Sequence, residues 1–303
     1  MLSTMNLSSM LSIFEEEQQL GTKGFTEELA FVDRADGYGL EGAIIRPTNG
    51  ETKPVAIIWI HGNTSRFYDM PYIQIGREMA ALGYTFITSN THGHDIASII
   101  WGPNGEAQPG GACWERFDEV PLDLSAWIDM AIEEGSEGVV LVGHSFGANK
   151  VIYYQAQKQD ERVLGVVSAS GDVKWKATPD RVALAEQMEA DGRDDEVLPQ
   201  LEMPWYRMSA KTYLGRARIA QHVFDADTET PHIAKVQCPI LAFYGTEEEW
   251  CGSASDLDMI RRNAVSSTRV ETHLVDGADH VFWDKANVAA RLIGDWVDGL
   301  RAA

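Results

Sequence analysis

The order of apolar segments along the chain constrains the fold most. Residues 55–60, VAIIWI, form an uninterrupted apolar run, which is typical of a strand covered on both faces of a sheet. Segments with the apolar spacing of a helix lie between such runs, including 72–83 and the C-terminal 286–300. Strands that alternate with helices predict a mostly parallel sheet with helices on both faces, an α/β fold. The other apolar runs of this series are 84–90, 138–145, 162–170, 239–245 and 268–277.

The N-terminal part of the chain departs from this alternation. Residues 27–35 and 38–47 are predicted to be two antiparallel strands, joined by a turn at Asp36 and Gly37. Residues 1–24 are predicted to be an extension with one short helix, which docks on the body of the protein or contacts a second copy.

A long interval without a convincing strand separates two of the predicted core strands. Residues 173–238 contain charged, helix-like segments and aromatic residues. An insert of this length is too long for a loop and predicts a small helical cap. We therefore expect an eight-stranded core built from residues 25–172 and 239–303, with the cap inserted after the sixth strand.

The most specific motif is GHSFG at residues 143–147, a G-x-S-x-G between an apolar strand and a helix. A serine on such a sharp turn has a strained backbone that lifts its hydroxyl above the sheet. The glycines avoid collisions with the neighbouring strand and helix. The N–H of Phe146, at the start of the helix, would then point at the anion that forms during acyl transfer. The motif predicts that Ser145 is a nucleophile.

The serine needs a base, and the base needs a carboxylate that orients it. Among the eight histidines, His280 is best situated, because it follows the last predicted strand and precedes the C-terminal helix. His61 ends another predicted strand, and the N–H of Asn63 or Thr64 beyond it is a candidate second donor to the anion. His92 and His94, on a loop with one aspartate, are weak evidence for a metal site.

With these motifs the chain resembles the α/β-hydrolase superfamily, from about residue 28 to the end. The resemblance rests on HGN at 61–63, GHSFG at 143–147, an acidic cluster after the seventh strand and GADH at 277–280. The insert also lies where that family carries its cap, and the order of serine, acid and histidine is the family's order.

The resemblance implies a role for each of four residues. Ser145 is expected to be the nucleophile and His280 the base. The backbone amides of Phe146 and Asn63 are expected to form the oxyanion hole.

The carboxylate is the point at which this sequence departs from the family pattern. The family usually has an aspartate three residues past a glycine, and the residue at this distance from Gly245 is Glu248. A glutamate has a longer arm that reaches the same imidazole N–H, so Glu248 is predicted to be the acid. The alternatives that remain are Glu247, Glu249, Asp256 and Asp172.

Aromatic residues concentrate in the cap and on loops at the same end of the sheet. One interpretation is that they pack the cap against the core. The other is that they line an apolar pocket for an aromatic or polyketide-like group, with the loop 95–120 as a further wall. The predicted pocket residues are Trp101, Trp114, Trp205, Tyr206 and Trp250; Trp175 and Tyr213 are further aromatic residues of the cap.

Charge and cysteine content disfavour several classes of partner and compartment. The 46 acidic and 25 basic residues give a formal net charge of −21, which disfavours nucleic acid and anionic membranes as partners. Cys113, Cys238 and Cys251 lack C-x-x-C spacing, which favours a reducing compartment. With neither a secretory signal nor a membrane span predicted, we expect a cytoplasmic protein. Any homo-oligomer is expected to form through the N-terminal extension or the cap.

The sequence therefore predicts a serine hydrolase that cleaves a carboxylic ester, thioester or lactone of a small molecule through an acyl-enzyme, with no cofactor or metal. The same triad supports amide or carbon–carbon bond hydrolysis and acyl transfer to an acceptor other than water. A non-catalytic ligand-binding relative is the alternative from another class.

Overall fold

One mixed sheet of eight strands organises the part of the chain that this computed structural model describes, residues 24–225 and 230–301. The strand order is β1-β2-β4-β3-β7-β8-β9-β10. The first two pairs in this order are antiparallel and the other five are parallel. The predicted mostly parallel sheet of eight strands is confirmed. Of the predicted extension 1–24, residues 1–23 lie outside the described residues. The strands of this sheet are β1 (Phe25–Asp33), β2 (Gly39–Pro47), β3 (Val55–Ile60), β4 (Thr85–Ser89), β7 (Gly138–His144), β8 (Val163–Ala169), β9 (Ile240–Gly245) and β10 (Val270–Val275).

Helices cover both faces of the sheet, which explains why its central strands are apolar throughout. Every residue of β3, β7 and β9 is buried. One face carries α2 (Val120–Glu133), α3 (Phe146–Lys158) and α6 (Ala254–Asn263), and the other carries α1 (Met70–Ala81) and α7 (Ala286–Arg301). None of the helices in residues 24–225 and 230–301 has the length and apolar character that crossing a membrane requires.

The segment 95–120, predicted to be a loop, contains a short hairpin. Strands β5 (Ser98–Trp101) and β6 (Ala107–Gly110) pair antiparallel, apart from the main sheet. Gly111, just beyond, has φ +85°, and a Cβ on it would lie 2.7 Å from Cα of Ala97. Strands of four residues are too short to produce a clear period, so the glycines and prolines of this segment indicated only a loop.

The insert after β8 is helical, as predicted. In its described residues, 173–225 and 230–238, there are helices and 3₁₀ turns but no strand. Its main helices, α4 (Pro179–Ala190) and α5 (Ala210–Arg218), pack on a small apolar core that includes Met188, Tyr206 and Tyr213. Ala112 and Cys113, which follow the hairpin, belong to the same core. The segment after the hairpin therefore supports the cap.

Candidate active site

Ser145 stands on a strained turn between β7 and α3. Its φ of +54° and ψ of −125° lie in a backbone region that residues other than glycine rarely adopt. A Cβ on Gly143 would lie 2.2 Å from the carbonyl oxygen of Gly147, and a Cβ on Gly147 would lie 2.3 Å from that of Ile60. The close approach of the helix to both strands thus requires the two glycines of the motif.

His280 and Glu248 form a hydrogen-bonded pair in which the carboxylate is buried. The Nδ1 of His280 lies 2.8 Å from Oε2 of Glu248, whose side chain is 1% exposed. The other carboxylate oxygen accepts the backbone N–H groups of Trp250 and Cys251 at 2.7 and 3.0 Å. Burial opposes ionisation of Glu248, but the hydrogen bond and charge of His280 outweigh it and lower the pKa to about 2. An ionised Glu248 keeps the proton on Nδ1, so Nε2 is free to accept one.

The other candidate carboxylates do not make this contact. Glu247 and Glu249 are exposed. Asp256 accepts from the hydroxyl of Ser253 at 2.6 Å, in the first turn of α6. Asp172 accepts two backbone N–H groups of the residues that follow it, each at 3.1 Å. Within the described residues, Glu248 is the candidate that hydrogen-bonds to His280.

Cys251 lies against both Ser145 and His280. Its Sγ is 3.4 Å from Oγ of Ser145 and 3.9 Å from Nε2 of His280. No hydrogen bond joins Ser145 to His280 directly among the residues described. Burial raises the pKa of the Cys251 thiol, so this group is neutral at physiological pH. The only signal for it in the sequence is its position, three residues past Glu248 on the same loop.

His144, inside the motif, connects the loop of His280 with α1 and, through Tyr72, with the loop of Gly62. Its Nε2 lies 2.8 Å from the carbonyl oxygen of His280, and its Nδ1 lies 2.9 Å from the hydroxyl of Tyr72. The Tyr72 hydroxyl also accepts the N–H of Gly62 at 3.2 Å. Burial, together with the charge of His280, lowers the pKa of His144 to about 3, so its ring is neutral. A carbonyl only accepts, so Nε2 carries the hydrogen and Nδ1 accepts from Tyr72.

The two predicted oxyanion donors lie on chain segments that meet at Ser145. Phe146 is the first residue of α3, where a backbone N–H has no acceptor within the helix. Asn63 follows the end of β3, on a loop that passes so close that a Cβ on Gly62 would lie 2.9 Å from Cβ of Ser145. In the described part of the chain, neither N–H donates to another protein group.

A cavity of about 440 Å³ opens above these residues. Ser145 and His280 line it together with groups from the cap and the loop after β9. The indole of Trp250 stacks over the His280 ring, with centroids 5.5 Å apart and planes at 28°. This volume suits a small molecule. The cap and loop side chains that line it include Trp175, Met203, Trp205, Tyr206, Arg216 and Trp250.

Two of the predicted pocket residues lie elsewhere. Trp101 is exposed on β5, and Trp114 lines a separate groove beside the hairpin, where its indole N–H donates to the carbonyl of Asp195. Of the five predicted pocket residues, the structure therefore brings Trp205, Tyr206 and Trp250 to the cavity and not Trp101 or Trp114. Trp101 lies on the hairpin in segment 95–120 and Trp114 four residues beyond it, and neither lines the cavity that contains Ser145.

A family model described as the alpha/beta hydrolase family matches residues 57–291, more than half of the chain. The chain belongs to the alpha/beta hydrolase family. A comparison with curated protein sequences gives no match.

Several solved structures share the fold of this alpha/beta hydrolase. Est1E from Butyrivibrio proteoclasticus, with ferulic acid bound, has a TM-score of 0.66 at 14% identity, over 90% of this chain and 100% of that one. An esterase of Pyrococcus furiosus has a TM-score of 0.59 at 17% identity, over 93% and 94%. The esterase domain of a Rhodothermus marinus protein has a TM-score of 0.56 at 14% identity, over 89% and 97%. At these identities the likeness shows the fold alone.

The histidines that suggested a metal have other partners in this alpha/beta hydrolase. The Nδ1 of His92 lies 2.6 Å from Oδ2 of buried Asp123, and the Nδ1 of His94 lies 2.9 Å from Oδ2 of Asp95. Among residues 24–225 and 230–301 there is no group of three or more His, Cys, Asp or Glu side chains that could hold a metal ion.

Proposed function

We propose that this alpha/beta hydrolase is a serine hydrolase of carboxylic esters, thioesters or lactones, with Ser145, His280 and Glu248 as its triad. The observation that carries the proposal is the hydrogen bond between His280 and Glu248, next to Ser145 on its strained turn. A base held in one tautomer by an ionised carboxylate, close to a lifted serine, is the arrangement that acyl transfer requires.

The reaction proceeds in two halves. Ser145 Oγ attacks the carbonyl carbon while His280 Nε2 takes its proton, and the N–H groups of Phe146 and Asn63 hold the oxygen that becomes negative. The protonated His280 then gives this proton to the leaving alcohol or thiol, which leaves an acyl-Ser145. Water, deprotonated by His280, attacks the acyl group, and the acid leaves as Ser145 regains its proton.

The hydroxyl of Ser145 has to change its partner for the first step. It now contacts Cys251 Sγ at 3.4 Å, a weak interaction for a neutral thiol. Rotation of the Ser145 side chain toward His280 exchanges this contact for a stronger one to Nε2. Such tightening on substrate binding is common in enzymes whose free form has loose catalytic hydrogen bonds.

The cavity favours an aromatic substrate of modest size. Trp175, Trp205 and Trp250 contribute indole surfaces to it, and Met203 adds an adaptable apolar one. Ferulic acid, bound to the structurally similar Est1E, is an aromatic acid of this kind. We propose aryl or aryl-acyl esters as the preferred class.

An active-site probe tests the proposal. A fluorophosphonate should label the parent protein and Ser255→Ala, whose serine is exposed on α6, but not Ser145→Ala. The same three proteins should be assayed on aryl and alkyl esters, thioesters, lactones and anilides. Ester turnover in Ser145→Ala equal to that of the parent would refute the proposal. Labelling without turnover of any ester would instead indicate acyl transfer to another acceptor.

A further inference from the structure

A buried arginine of the cap touches both residues that we assign to the oxyanion hole. Arg216, on α5, is 3% exposed. Its Nη2 donates to Oδ1 of Asn63 at 2.7 Å, and its guanidinium carbon lies 4.1 Å from the ring centroid of Phe146. This stacking distance is within the range of a cation–π interaction.

The side chain of Asn63 is held from the cap at both of its polar atoms. Oδ1 accepts from Arg216, and Nδ2 donates to the hydroxyl of Tyr206 at 2.7 Å. Asn63 itself lies on the core loop after β3, so these two hydrogen bonds join core and cap. Fixing an amide side chain at both ends also restricts the backbone that carries it.

Arg216 shares its carboxylate partner with a second buried cation. Its carboxylate neighbour Glu115 lies 3.4 Å from Nη2, but that carboxylate already has Lys150 Nζ at 2.6 Å. All three side chains are at most 3% exposed. These three side chains are two cations and one anion, and the charges of Glu202 and Asp172 also act on Arg216. Among the described residues, the buried Nε of Arg216 has no hydrogen-bond partner. Burial of a guanidinium is costly, and the contacts to Asn63 and Phe146 compensate it together with these carboxylates.

The same charged group continues under the nucleophile turn. Lys150 is on α3, five residues past Ser145, and its Nζ donates to the hydroxyl of Thr91 at 2.9 Å. Thr91 in turn donates its N–H to Nε2 of His61, which precedes the Asn63 loop, at 3.1 Å. A continuous series of buried polar contacts thus runs from the cap to α3, which begins with Phe146, and on to His61, two residues before Asn63.

We propose that Arg216 is a positioning residue, through which the seated cap holds the amides of Asn63 and Phe146 in the geometry that binds the oxyanion. This inference rests on the proposed serine hydrolase function. Arg216 acts through its two neighbours and not by contact with the reacting atoms.

The test compares two arginines of the same helix. Arg216→Met removes the contacts to Asn63 and Phe146 and leaves Glu115 paired with Lys150, so the variant is expected to fold. Arg218→Met is the matched control, because Arg218 is on the same helix, half-exposed and paired with Glu189. Arg216→Lys keeps the charge but loses the planar guanidinium, so it should restore only part of the activity that Arg216→Met loses.

We expect Arg216→Met to lower kcat on neutral aryl esters by about 10- to 10²-fold, less than the loss of a whole oxyanion donor, with KM within about 2-fold. Affinity for an aryl boronic acid, whose tetrahedral adduct with Ser145 mimics the oxyanion, should fall by the same factor as kcat/KM. Asn63→Ala keeps the backbone N–H but removes the clamped side chain, and its effect should not add to that of Arg216→Met.

Three results would overturn the inference while leaving the serine hydrolase intact. They are a raised KM with unchanged kcat, unchanged boronic acid affinity, and additive effects of the Asn63 and Arg216 variants. Failure of the proposed function has a different sign: fluorophosphonate would then not label Ser145 in the parent protein. In that case the inference about Arg216 fails as well. Should Arg216→Met not fold, Tyr206→Phe removes the other bond to Asn63 and is measured in the same way.

Discussion

The hydroxyl of Ser145 contacts the thiol of Cys251, with 3.4 Å between oxygen and sulfur. The thiol also lies beside the imidazole of His280, whose Nε2 is 3.9 Å from the same sulfur. A group attached to this sulfur would exclude any acyl group from Ser145.

Thiol alkylation is therefore expected to inactivate the protein through Cys251. N-ethylmaleimide should abolish ester turnover in the parent protein and in Cys238→Ala, but not in Cys251→Ala. Because burial keeps the thiol protonated, the inactivation rate should rise about tenfold for each pH unit between pH 7 and 9. Residual activity against time, measured at several pH values, gives this rate. Equal inactivation of Cys251→Ala would show that another group reacts.

Loss of the Glu248 carboxylate is expected to affect kcat strongly. Glu248→Gln should lower kcat by about 10² to 10⁴, because the neutral amide no longer fixes the Nδ1–H tautomer of His280 or stabilises its protonated form. Glu247→Gln and Glu249→Gln change exposed neighbours on the same loop and should stay close to the parent. Steady-state kinetics on one aryl ester compares the three; near-parent activity of Glu248→Gln would remove Glu248 from the triad.

Glu248 should also contribute to stability in a pH-dependent way. Its folded-state pKa of about 2 is below the ordinary 4.5, so its contribution is fully present above pH 4.5 and is lost as the pH falls toward 2. Urea unfolding of the parent and Glu248→Gln should give a difference in unfolding free energy that is constant above pH 4.5 and shrinks below it. A difference that grows on acidification contradicts this sign.

The Tyr72 hydroxyl is predicted to stabilise the site by satisfying two buried groups. Tyr72→Phe leaves the N–H of Gly62 and the Nδ1 of His144 without their partner, which should lower the free energy of unfolding by about 1–3 kcal/mol. Tyr68→Phe is the control, since Tyr68 is 55% exposed. Chemical denaturation measures both, and equal stability of the two variants would contradict the role of the buried hydroxyl.

Trp250 is predicted to select aromatic substrates. Trp250→Ala should raise KM for aryl esters by about 3- to 10-fold, because the substrate loses one aromatic stacking contact. KM for short alkyl esters should change much less. Trp101→Ala serves as its control, because Trp101 is 58% exposed against 60% for Trp250 but does not line the cavity. Equal effects on aryl and alkyl esters would assign Trp250 a purely structural role.

The fold was predictable from the chain because its signals are local. Residues 55–60 are six consecutive apolar residues, a run that is typical of a strand with helices on both faces of its sheet. They form β3, and all six are buried. The motif at 143–147 specified its own turn, because only glycine tolerates the contacts at Gly143 and Gly147. The hairpin of β5 and β6 was missed because its strands are too short for a periodic pattern.

The choice among three adjacent glutamates required the tertiary structure. Glu247, Glu248 and Glu249 have the same chemistry, and the spacing from Gly245 favoured Glu248 only through a family resemblance. In the folded chain, the path of the loop after β9 turns this one side chain inward to His280 and leaves its neighbours exposed.

Two contacts between distant segments were not predicted from the sequence. Cys251 at the nucleophile and Arg216 beside Asn63 lie 106 and 153 residues from their partners along the chain. No local pattern encodes such a meeting, because it depends on how the cap and the loops pack on the finished sheet. The apolar runs and the glycine motif determine the strands and the turn that they form, because short-range sterics and burial are sufficient for that. Long-range packing decides which polar side chains complete the site.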